Sequence, residues 1–126
     1  MKLAHNFAVT LLAGVAVGGA IVQGLHAQAR PPAYVINEID ISDTEGFKTY
    51  ADRMSPIITS MGGKFLIRGG VTEALDGEPP KRITVYVFDS MAKMQAWHDA
   101  PAVQALKPLR DKAAKFRAFA VEGVAH

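Results

Sequence analysis

The chain has 126 residues, room for one domain, and its 49% hydrophobic content sets it apart from a disordered chain. Its 14 Lys and Arg nearly balance its 12 Asp and Glu with no basic block, which argues against nucleic acid as a partner. It has no cysteine, so disulfides, thiolate metal sites and cysteine nucleophiles are excluded together.

Residues 1–29 read as a secretory signal. Lys2 is followed by an apolar run, Phe7 to Val22, and Ala27-Gln28-Ala29 offers the small-x-small exit that a signal peptidase needs. The expectation is a periplasmic or secreted protein, tethered to a membrane only if the segment is left uncleaved. Arg30-Pro31-Pro32-Ala33 reads as a short stiff linker and residues 34–123 as the domain.

Tyr34 to Ile41, YVINEIDI, is rich in strand formers and ends at a turn signal. Ser42-x-x-Glu45 has the form of a capping box, with an apolar stripe behind it: Phe47, Tyr50, Ala51, Met54, Ile58 and Met61. Gly62-Gly63 stops that helix, and Pro56 predicts a kink or break near Met54-Ser55. Lys64 to Arg68 is a short second strand closed by Gly69-Gly70, and Val71 to Lys81 is a loop. Arg82 to Phe88 alternates, with Arg82, Thr84, Tyr86 and Phe88 on one face. Asp89-Ser90 starts a helix carrying Met91, Met94 and Trp97 on one side. A second helical piece, Pro101 to about Ala114, places Ala102, Leu106, Leu109 and Ala113 at helical steps and is kinked by Pro108. Phe116 to Val121 is a last strand.

The order βαββαβ is that of an α+β, ferredoxin-like sandwich: a four-stranded antiparallel sheet with helices on one face. Nothing in the chain remains to cover the other face, where Phe88, Phe119 and Val121 read as apolar. A second copy is the economical cover, giving a homodimer of the dimeric α+β barrel type.

GGKFLIRGG, the Asp76-Gly77-x-Pro79 loop, RITVYVFDS and W-x-x-x-P-A-V-Q-A-L-K-P-L-R together resemble the domain-of-unknown-function family 1330, over Ala33 to Gly123. The resemblance implies a dimeric α+β barrel whose two sheets pack face to face. It implies no reaction and no cofactor: relatives in the wider superfamily include monooxygenases, isomerases and haem-handling proteins. The family often carries a tyrosine after the tryptophan and a Ser-Pro-Glu-Tyr helix start. Here those positions read His98 and Ala100-Pro101-Ala102-Val103, so no role of those tyrosines passes to this chain.

The candidate polar residues are few. A general base needs a pKa near the working pH, which histidine has as a residue type, and His98 is the candidate for that role, although adjacent Asp99, about 100° away on the helix, is not expected to orient it. Arg68 and Arg110 can each hold a carboxylate by two parallel hydrogen bonds, and Arg68 stands beside glycines where a ligand could reach the backbone. Asn37 falls by period two on the face of Val35 and Ile39, so it either stitches the core or lines a cavity. Tyr86 can point a hydroxyl into the same space. Only His98 and His126 lie beyond residue 29, too few for a metal site, and no phosphate loop or nucleophile elbow is present. The leading expectation is a homodimer that binds a small anionic organic ligand through Arg68, Asn37, His98, Arg110 and Tyr86. The alternatives are a cofactor-independent monooxygenase- or isomerase-like enzyme using His98 and Arg68, and a purely structural dimer.

Overall fold

The computed structural model describes residues 30–125; the signal-segment reading of residues 1–29 lies outside them. Among the described residues four strands and four helices follow in the order β1 (Ala33–Ile41), α1 (Thr44–Ser60), β2 (Lys64–Arg68), β3 (Arg82–Phe88), α2 (Met91–Asp99), α3 (Pro101–Ala105), α4 (Lys107–Ala113) and β4 (Ala114–Glu122). The strands form one antiparallel sheet in the order β2-β3-β1-β4. This is the expected ferredoxin-like βαββαβ arrangement, the fold class of the dimeric α+β barrels.

Alternation in β1 sets the two faces. Ala33, Val35, Asn37 and Ile39 are buried beneath the helices, and the residues between them face outward. The register carries that choice across the sheet, pairing Val35 with Tyr86 and Ala120, and Asn37 with Thr84 and Ala118. β1 begins at Ala33, one residue before the boundary read from sequence, and the carbonyl of Pro32 already accepts a hydrogen bond from Gly123 at 2.8 Å.

The core is largely aromatic. Trp97 stands 5.3 Å from Tyr86 and 5.4 Å from Phe88 by ring centroids, and Phe65 packs edge-on to Tyr86 at 5.4 Å. Phe88 was expected on the uncovered face, but it is the most deeply buried large side chain, 1% exposed. Its partner in register is Ala33, on the helix side, where burying a phenyl ring stabilises by about 1.5–3 kcal/mol. Phe119 and Val121 do lie on the open face, half exposed, with Tyr34, Ile36, Val85 and Val87 beside them by register.

The helix ends depart from expectation in three places. The capping box at Ser42 and Glu45 does not form. Asp43 is the N-cap, accepting from Gly46 N–H at 3.1 Å, while the Ser42 hydroxyl donates to the Ala113 carbonyl and ties the start of α1 to the end of α4. The break expected near Met54-Ser55 does not occur, and α1 runs through Pro56. The proline forfeits one backbone bond, while buried Met54 and Ile58 anchor the helix on either side of it. The single kinked helix expected from Pro101 to Ala114 is two pieces divided at Leu106, with Pro108 in the first turn of the second, where its missing N–H costs little. Val103, not Ala102, consequently faces the core.

One stop is as expected. Gly62, at φ +96°, donates to the Thr59 carbonyl and Gly63 to the Ile58 carbonyl, the paired bonds of a Schellman motif. β2 carries a bulge at Leu66, and the glycines after it turn the chain at φ +73° and +100°.

Candidate functional site

A cavity of about 440 Å3 lies between the helix side of the sheet and α1, α2, α3 and α4. Its origin is legible in the packing. Beyond Phe116, β4 offers Ala118 and Ala120 on its helix face, opposite Asn37 and Val35, and the short, divided α3 and α4 do not fill the space those small side chains leave.

Four of the five sequence candidates, Asn37, Tyr86, His98 and Arg110, line this cavity. Asn37 is 4% exposed; its amide donates to the Thr84 carbonyl at 3.4 Å, a long bond that leaves it capacity toward the cavity. Burial pushes the Tyr86 phenol well above the usual tyrosine range, opposed by a hydrogen bond from Asn37, so Tyr86 keeps its proton as a donor. Arg110 donates from Nε to Asp111 at 3.0 Å and lies over the Phe116 ring at 4.9 Å, which leaves its Nη groups free of that carboxylate. Burial raises the Tyr50 phenol above the usual tyrosine range, and the nearby Arg110 charge partly offsets that rise.

His98 is set less firmly. Its side chain is 57% exposed, and its Nδ1 lies 3.4 Å from Asp99 Oδ1. The neighbouring carboxylate therefore does approach it, contrary to the expectation from helical geometry, at the end of α2, whose last residue is Asp99. At that distance and exposure the contact orients the ring weakly.

Arg68 is not part of this constellation. It stacks over Phe65 at 4.2 Å, donates to Ser55 Oγ at 2.9 Å, and borders a separate, smaller cavity. The group that approaches the neighbouring glycine is not a ligand but Arg82: a Cβ added at Gly69 would stand 2.6 Å from Arg82 Nη1.

Tyr50, Gln104, Lys107 and Trp97 are the wall residues that sequence reasoning missed or gave to the core. Gln104 donates to the His98 carbonyl at 2.7 Å, satisfying an acceptor at the end of α2 and fixing the rim. Lys107 and Arg110 are three residues apart on α4, so they share a face, and that spacing within LKPLR was the available signal. Trp97 is 5% exposed, and its buried indole Nε1–H has no acceptor among the described residues. No carboxylate lines the cavity, whereas Lys107 and Arg110 do. Its field is therefore positive, with neutral donors behind it.

Among the described residues no group of three or more His, Cys, Asp or Glu is placed to hold a metal ion, and no helix is long and apolar enough to cross a membrane.

Residues 32–124 match the family model described as "Domain of unknown function (DUF1330)". No curated protein matches the chain. Among solved structures, RPA0582, a protein of unknown function from Rhodopseudomonas palustris, is similar at 17% identity and a TM-score of 0.61, over 83% of this chain and 92% of that one. SnoaB, a cofactor-independent oxygenase from Streptomyces nogalater, is similar at 10% identity and a TM-score of 0.56, over 74% of this chain and 93% of that one. A dimeric ferredoxin-like protein of unknown function from Thermobifida fusca is similar at 15% identity and a TM-score of 0.51, over 75% of this chain and 92% of that one. At these identities the likeness establishes a shared fold and does not transfer an activity.

Proposed function

The chain belongs to the DUF1330 family, and from that premise we propose that it is a homodimeric domain that binds a small organic acid in the cavity between its sheet and helices. The observation that carries this reading is the composition of the cavity wall. Among the described residues Arg110 and Lys107 line the cavity and no carboxylate does. A ligand carboxylate would take charge-assisted hydrogen bonds from that cationic rim. Tyr86, Phe116 and Met94 supply apolar surface for the body of the ligand.

The homodimer is supported by the open sheet face. Phe119 and Val121 are 43% and 45% exposed, on a face that no element among the described residues covers. Export to the periplasm or medium is part of the same proposal. Its support is the N-terminal apolar run and its Ala27-Gln28-Ala29 exit.

The test is a thermal-shift comparison of the purified protein with benzoate against benzamide, which has the same ring and no charge. The acid should raise the melting temperature and the amide should not. Equal responses, or none to any of several aromatic and aliphatic acids, would defeat the reading.

A second reading, catalysis of the cofactor-independent kind, draws on His98, the histidine that lines the cavity. In it His98 takes a proton from the bound acid while Asn37 and Tyr86 donate to the developing enolate. Incubation of candidate acids in deuterated water checks this: deuterium incorporated at carbon and lost in His98→Ala supports it, and equal incorporation in that variant removes it.

A further inference from the structure

The smaller cavity holds two positive charges and no negative one. Arg68, the last residue of β2, and Arg82, the first of β3, both line a space of about 60 Å3 between the sheet and α1, and no carboxylate borders it. The register explains why they meet. Arg68 pairs with Thr84, and Arg82 is two residues from Thr84 on β3, so all three share the helix side of the sheet. The guanidinium carbon of Arg82 lies 5.5 Å from the Phe47 ring centroid, and the group lies against Gly69, where a Cβ would stand 2.6 Å from its Nη1. Ser55 steadies Arg68: its hydroxyl donates to the Ala51 carbonyl at 2.7 Å and accepts from Arg68 at 2.9 Å.

Among the described residues neither arginine has a counter-charge. Arg110 and Arg117 each meet a carboxylate at 3.0 Å, whereas no ion pair among the described residues includes Arg68 or Arg82. The Arg82 Nε is buried and has no acceptor among the described residues. Arg82 is partly withdrawn from water without a counter-charge among the described residues, and an oxyanion held between it and exposed Arg68 would supply one.

We propose that Arg68 and Arg82 form a second anion-binding site, separate from the rim of Lys107 and Arg110, that takes one oxyanion group of carboxylate or phosphate size. A water molecule's share of liquid volume is about 30 Å3, so the space admits a head group and not a whole organic molecule. Asn37, Tyr50 and Tyr86 wall both cavities. The oxyanion is therefore either a free inorganic ion or the far end of a longer acid that reaches across from the larger cavity. The site does not depend on the reading of that cavity.

Calorimetric melting of the full-length protein in sodium phosphate, against sodium chloride at equal ionic strength, tests the first source. Phosphate should raise the melting temperature by several degrees. The rise should be lost in Arg68→Met and Arg82→Met and kept in Lys107→Met and Arg110→Met. If Arg82→Met does not fold, Arg82→Lys keeps the charge without the fork, and its apparent phosphate affinity should fall at least tenfold. A phosphate response that survives at Arg68 and Arg82 but vanishes with Arg110 overturns the proposal. For the second source, titration with benzene-1,4-dicarboxylate should show binding at least tenfold tighter than benzoate, with the excess lost in Arg82→Lys. No phosphate response together with equal binding of the two acids overturns the proposal. An Arg82-dependent phosphate response in a protein that ignores benzoate would instead leave this site standing and remove the organic-acid reading.

Discussion

Replacing Arg110 with methionine separates ligand binding from stability. The Arg110 side chain is 23% exposed, it lines the cavity, and its Nε is held by Asp111. A charge-assisted hydrogen bond to a bound carboxylate contributes about 1.5–3 kcal/mol, and each 1.4 kcal/mol is tenfold in affinity. Arg110→Met should therefore raise the Kd for benzoate by about 10- to 150-fold. Its effect on folding should be smaller, because methionine retains most of the apolar stem. The contact with Phe116 that is lost contributes about 0.5–1 kcal/mol, which lowers Tm by a few degrees in a domain of this size. Lys107, exposed at the rim, should matter less, by a few-fold in Kd. Isothermal titration of the three proteins, with circular dichroism to confirm the fold, gives the ranking. A benzoate Kd that changes by less than about threefold in folded Arg110→Met would refute the assignment of the cationic rim.

Two further outcomes follow from the fold. Burial raises the pKa of Tyr86 and Tyr50 above 10.0, so between that value and their folded pKa the unfolded state loses protons that the native state keeps. Stability should therefore fall as pH rises above about 10, by at most about 1.4 kcal/mol per pH unit per group, and the slope of denaturant midpoint against pH should be shallower in Tyr86→Phe; an unchanged slope would contradict the burial argument. On the open face, Phe119→Asp places a charge opposite Ile36, and light scattering should find this variant monomeric where the parent is a dimer. A parent that is monomeric at micromolar concentration would remove the case for a homodimer.

The parts of the fold legible in sequence were those written in periodicity. The alternation of Arg82 to Phe88, the α1 stripe and the Gly62-Gly63 stop all stand where the pattern put them. The errors came from local signals that tertiary contacts overrode. Ser42 looked like a cap until Ala113, 71 residues away, claimed its hydroxyl and left the cap to Asp43. Phe88 was assigned outward because an uncovered face needed apolar residues, although its parity with Tyr86 already placed it inward. The site was half legible for a similar reason. Asn37 and Tyr86 were found by asking which polar side chains fall on an apolar face. Tyr50 was missed because its place in the helical stripe counted it as core. Lys107 and Gln104 were missed because their inward approach depends on the division of the helix at Leu106. The void itself comes from Ala118 and Ala120, and small residues announce a cavity only once the register is known.

Trp97 offers the most direct test. It is the one tryptophan in the chain, it lines the cavity, and its Nε1–H has no acceptor among the described residues. Its indole N–H resonance is therefore a unique reporter in a nitrogen–proton NMR spectrum. On titration with benzoate the resonance should move saturably, and with benzamide at the same concentrations it should stay in place. An indole signal that ignores every organic acid offered, or follows the neutral amide equally, would contradict an acid-binding cavity at this site.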